Sequence, residues 1–135
     1  MSYDLGVWYP YQRLSHEQAG KLYVALCEGK GETPPAHAAV DGFYQELTAK
    51  HPEIDTIPDE QIDDHDYCPW SCALDRSPGH VIMPCVWSKA EYVDSLVREL
   101  ARKHGLAVFD PQAGRISYPD GEATAGRAKP WWRFW

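Results

Sequence analysis

Apolar positions recur along this chain with two periods, and the switches between them mark its elements. Tyr3, Leu5, Val7 and Tyr9 alternate with Asp4, Gly6 and Trp8, the period of a half-buried strand, and Pro10 closes it. Ala19, Leu22, Tyr23, Leu26 and Cys27 then fall at helical spacing. Ser15 and Gln18 stand before them as a capping box, each side chain satisfying the other's free backbone N–H, and Gly29 ends the run. Thr33 followed by Pro34 predicts an N-cap with proline in the first turn of a second helix. Its stripe of Val40, Phe43, Tyr44 and Leu47 runs to His51-Pro52.

The stretch from His80 to Ile116 reads as strand, helix, strand. Ser88 with Glu91 predicts a second capping box and a helix from about Lys89. Val93, Leu96, Val97, Leu100, Ala101 and His104 form its buried stripe, and Gly105 its left-handed end. The run Leu106–Phe109 follows at once, which predicts a right-handed crossover between parallel strands. Upstream, Ser77-Pro78-Gly79 is a turn that returns a short strand after Trp70 into His80–Trp87 as a hairpin. Pro84 removes one ladder donor there, so that strand is expected at an edge or with a bulge.

The resulting order, β-α-α-β-β-α-β, fits an α+β single-domain sandwich. A mostly antiparallel sheet with its helices on one face is expected, as a ferredoxin-like variant with an extra helix. At 135 residues the chain is sized for one core. Residues 1–118 form the expected domain. Residues 119–135 are a Gly- and Pro-containing extension ending in Trp131, Trp132, Arg133, Phe134 and Trp135. That aromatic tail is expected to pack back, or to meet a partner or second copy and so give a homodimer.

Charge narrows the functions. A net charge of −7 opposes nucleic-acid binding, which demands a basic face. No apolar run approaches the roughly 18 residues needed to span a bilayer. The opening residues lack the pattern of a secretory signal, so the four cysteines read as reduced thiols in a cytoplasm. From Glu53 to Asp66 lie seven carboxylates and no Lys or Arg, interrupted by Ile54, Ile57 and Ile62. This is either a solvated loop anchored by its isoleucines or a negative surface for a basic partner.

Chemistry-bearing groups are sparse. His65, Cys68 and Cys72, with His80 and Cys85 near in sequence, are the nearest approach to a zinc set, but no second paired motif accompanies them. Cys68 with His65 suggests a nucleophile and base, yet Asp63, Asp64 and Asp66 would raise the thiol pKa. Cys27, Cys72 and Cys85 read instead as small core residues. Trp8, Trp70 and Trp87 stand beside strand ends or turns, where aromatics form the lid of a core. No catalytic residue, cofactor or metal is assigned.

Tyr3-Asp4-Leu5 with Val7-Trp8, Pro69-Trp70, Trp87-Ser88 with Ala90-Glu91, and His104-Gly105-Leu106 with Phe109-Asp110-Pro111-Gln112 together resemble a group of small bacterial cytosolic proteins of uncharacterised function. The resemblance covers residues 3–118 and implies no catalytic residue. By size and acidity the chain is similar in type to immunity proteins that neutralise toxins. The expected function is therefore a non-enzymatic binding module, an immunity or antitoxin-like inhibitor of a basic protein. Its contact residues would be Asp59, Glu60, Asp63, Asp64, Asp66, Trp70, Trp131, Trp132 and Trp135. The alternative is a small enzyme or metal-binding protein using the His65–Cys72 region.

Overall fold

The strand alternation near the start of the chain produces β1 (Tyr3–Trp8), and everything else is arranged about it in the structure, a computed structural model that describes residues 2–30 and 33–122. Helices α1 (His16–Glu28) and α2 (Ala38–Lys50) follow β1, then β2 (Asp75–Ser77) and β3 (His80–Cys85), then α3 (Ala90–His104), and last β4 (Ala107–Asp110), β5 (Arg115–Tyr118) and β6 (Gly121–Glu122). The strands form one sheet in the order β2-β3-β1-β4-β5-β6, and every pairing is antiparallel. The sheet continues past Tyr118, because β6 pairs back on β5.

The fold is α+β, as the sequence predicts, with two corrections to its arrangement. The strands flanking α3 run the same way but are not neighbours: β1 lies between them, pairing Val7 with Val81 on one side and Val108 on the other. The crossover is thus split by the first strand. Nor do the helices share a face. Leu5, Val7, Val81, Met83 and Val108 point to the α2 and α3 side, where Val40, Phe43, Leu47, Val93 and Val97 complete a core. Trp8, Ile82, Ala107, Phe109 and Ile116 point the other way and are covered by Ala19, Tyr23 and Leu26 of α1. Because strand side chains alternate and both sets are apolar, the sheet needs cover on both faces.

Local signals were realised unevenly. The Ser15–Gln18 capping box forms in full, and Gly29 and Gly105 end α1 and α3 in the left-handed region. Thr33 does not cap α2. Pro35 holds Pro34 out of helical geometry, and the N-cap is His37, whose Nδ1 accepts the Ala39 N–H at 3.0 Å. The Ser88–Glu91 box does not form either: Ser88 lies inside a 3-10 turn, Trp87–Lys89, without the extended backbone an N-cap needs, and no side chain caps α3. Pro84 sits in an interior strand without a bulge. Its carbonyl accepts from Ser71 N–H, so its ring nitrogen also faces away from β1, at a place where the three-residue β2 has already ended. No β1 ladder bond is lost.

Candidate functional site

The acidic segment is a ridge held on a fixed frame. Two 3-10 turns, Ile54–Thr56 and Asp59–Gln61, shape it, and Ile54 and Ile57 pack against the α2–α3 core. Its far end is closed where the Asp64 carbonyl accepts the N–H groups of Tyr67 and Cys68, at 3.0 and 2.8 Å. Asp59, Glu60, Asp63, Asp64 and Asp66 are all exposed. Of these five, only Asp66 has an ion pair among the described residues, with Lys89, whose hydrogen bond holds the carboxyl below its ordinary range. Glu53 is different. It accepts the Tyr44 hydroxyl at 2.5 Å and the Leu74 N–H at 2.8 Å, tying the segment to α2 and to the approach to β2.

Trp70 does not join that surface. It is 1% exposed, and its indole N–H donates to the His51 carbonyl at 2.9 Å. Backbone bonds place it there: Trp70 bridges to Cys85, Ser71 N–H donates to Pro84 and Val86 N–H to Pro69, so the segment lies along the end of β3 and turns the indole inward. Trp8 is also core, whereas Trp87, read as a lid, is 48% exposed. Trp131, Trp132 and Trp135 lie outside the described residues.

His51, read from sequence only as the end of α2, is a hub. It is buried, and its Nδ1 lies 2.9 Å from the Tyr67 carbonyl. A carbonyl can only accept, so Nδ1 carries the proton of this tautomer and Nε2 is left to accept the Tyr92 hydroxyl, 2.7 Å away. Both Tyr92 and Trp70 meet this ring edge-on. The hub thus fixes the end of the acidic ridge against the first turn of α3. Sequence did carry a signal for Tyr92: it stands off the buried stripe of α3, where an aromatic has no core to enter.

The cysteines and their neighbours do not assemble. Cys68 is buried and donates to the Pro52 carbonyl, while Cys72 is exposed and His65 half-buried. Among the described residues, no group of three His, Cys, Asp or Glu side chains is placed to hold a metal ion. Cys27 and Cys72 are exposed, contrary to their expected place in the core; Cys85 is buried as expected. Burial, more than any nearby charge, pushes the Cys68 thiol up and the Cys85 thiol to about 12, which opposes thiolate chemistry at both.

A serine, a histidine and an aspartate do meet at the β2–β3 hairpin. Gly79 N–H donates to Ser77 Oγ at 3.1 Å, leaving the hydroxyl proton for His80 Nδ1 at 2.6 Å. The ring proton is then on Nε2, which is buried without a hydrogen-bond partner and stands 3.9 Å from Asp75 Oδ1. Burial holds the ring's pKa below its ordinary value, with Asp75 only partly opposing. The Ser77 hydroxyl and His80 Nδ1 are engaged with each other within the turn, which fits a structural role for that pair. The concavity beside the hairpin, about 550 Å³, is lined by His37, Asp41, Arg76 and Ser77, and Arg76 lies over the Tyr44 ring at 3.8 Å.

Among the described residues no helix is long and apolar enough to cross a membrane. Compared with protein-family models, with curated proteins and with solved structures, the chain matches none.

Proposed function

We propose that the protein is a non-enzymatic binding module whose acidic ridge engages a basic protein, acting in the cytoplasm as an immunity or antitoxin-like inhibitor. The observation that carries this reading is the ridge itself: Asp59, Glu60, Asp63 and Asp64 are exposed, have no ion pair among the described residues, and stand on a frame anchored by Ile54, Ile57 and Glu53. Exposed like charges normally repel and spread. Holding them together on a fixed backbone costs stability and favours a cationic partner, whose approach such a field accelerates. Four free thiols accord with a reducing compartment. The alternative metal or thiol reading lacks a ligand set among the described residues.

The test is affinity purification of the tagged full chain from its own cells, at low and moderate salt, beside a variant with Asp63→Asn, Asp64→Asn and Asp66→Asn. The expected result is one stoichiometric basic protein, weakened by salt and lost from the variant. Equal capture by the variant would sink the reading.

A further inference from the structure

Among the described residues, three of the five exposed large hydrophobics, Tyr67, Trp87 and Tyr92, stand where the acidic ridge meets the start of α3. They are 37%, 48% and 43% exposed. Two of them are held by their side chains and the third, Tyr67, by its backbone. The Tyr67 backbone and the Tyr92 hydroxyl are both fixed by His51, Trp87 packs edge-on against Tyr3 at 5.4 Å, and the Lys89–Asp66 pair joins the two segments between them. Rigid exposed aromatics bring large contact area with little ordering cost, the usual make-up of an interface hot spot. Exposed acids lie close to them along the chain: Asp63 and Asp64 shortly before Tyr67 on the ridge, and Glu91 next to Tyr92. The one cation in these two segments, Lys89, is committed to Asp66.

The chain itself shows which group such a setting accepts. Arg76 lies 3.8 Å over the Tyr44 ring with Asp41 3.8 Å away, and Arg13 lies 4.4 Å over Tyr118 with Asp120 at 3.1 Å. In both places a guanidinium stacks on a tyrosine while a carboxylate takes its charge. Tyr67 and Tyr92 have the ring, with carboxylates close by in sequence, but among the described residues no arginine covers either. A guanidinium suits this better than an ammonium, since its plane stacks and its N–H groups fork to a carboxylate. We infer that Tyr67, Trp87 and Tyr92, rimmed by Asp63, Asp64 and Glu91, form the contact surface for arginine side chains of a basic protein segment. This rests on the binding reading above and names the part of the surface that discriminates.

The experiment titrates the full chain with oligoarginine and, separately, with oligolysine of equal length, following the aromatic side-chain NMR signals and Trp87 fluorescence. The expected result is oligoarginine binding about tenfold tighter, with shifts at Tyr67, Trp87 and Tyr92. Trp87→Leu and Tyr67→Leu, neither of which removes a side-chain bond to His51, should abolish that preference and leave the weaker, salt-sensitive oligolysine binding. Equal affinity for both peptides, or a preference that survives both substitutions, overturns the aromatic surface while leaving the acidic ridge as a binder. Absence of any binding to either peptide overturns both.

Discussion

The Tyr92 hydroxyl donates to His51 Nε2 at 2.7 Å, joining an exposed side chain on the first turn of α3 to a buried ring just past the end of α2. Removing the hydroxyl leaves that ring nitrogen without its donor. Tyr92→Phe should cost about 1 kcal/mol, since water reaches the exposed side of the ring, and His51→Ala about 2–3 kcal/mol, because the Tyr67 and Tyr92 bonds go together. In a double-mutant cycle by urea denaturation the two should couple by about 1 kcal/mol. Strict additivity would mean the bond contributes nothing.

Two glycines should respond to alanine with opposite signs. A Cβ at Gly79 would stand 2.0 Å from the Pro34 carbonyl oxygen, a backbone atom that cannot swing away. At Gly20, inside α1, the nearest atom would be Phe109 Cζ at 3.7 Å, an ordinary contact. Gly79→Ala should therefore lose about 3 kcal/mol and Gly20→Ala gain about 0.5–1 kcal/mol. Thermal melts of the two variants decide this, and a harmless Gly79→Ala would mean that the hairpin and the linker do not touch.

His80 makes stability depend on pH. Its folded pKa is depressed below the ordinary 6.5 by burial. Between the folded and unfolded values the unfolded chain binds more protons, so stability rises with pH; the contribution is full above 6.5 and is lost as acidity deepens. The stability difference between wild type and His80→Gln should accordingly shrink as pH is lowered from about 7.5 to about 5. A difference that stays constant over that range would show that the ring does not titrate with unfolding.

Thiol alkylation should divide the cysteines by position. Cys72 should react first; Cys27, also exposed, should lag because burial of its thiolate raises its pKa; Cys68 and Cys85 should react only on unfolding. Peptide mass spectrometry after timed quenching reads the order. Early modification of Cys85 in the native protein would contradict its burial beneath the α2–α3 core.

The sequence was most legible where one local rule acted alone. The Ser15–Gln18 box and the glycine ends of two helices are short-range features and formed as read, and the stripe of α3 buries Val93, Val97, Leu100 and Ala101 while Leu96 and His104 stay half-buried. Ser88 failed because a tertiary contact, Trp87 against Tyr3, accompanies a 3-10 turn in place of the extended cap. The face occupied by α1 was hidden for a similar reason. The alternation of β1 predicts a half-buried strand with Gly6 and Trp8 opposite Leu5 and Val7, yet that second face is covered too: Trp8 is buried beside Phe109 and Gly6 lies under Tyr23. Exposure of the acids followed from composition. Burial of Trp70 and the hub role of His51 depend on a turn packing beside β3, which no periodicity encodes.

The position of β1 has a consequence for the order of assembly. The strand made earliest of the six is the one in the middle, and both its partners come much later in the chain, β3 only after two helices and β4 only after a third. While the chain is being synthesised, Leu5 and Val7 have nothing to pair with, and the helices that form first have no finished sheet to settle on. Such distant pairing makes folding slow relative to a helical bundle of similar size, and it exposes an apolar segment meanwhile. The nascent chain thus has to keep its first strand from the wrong partners until its last third has emerged.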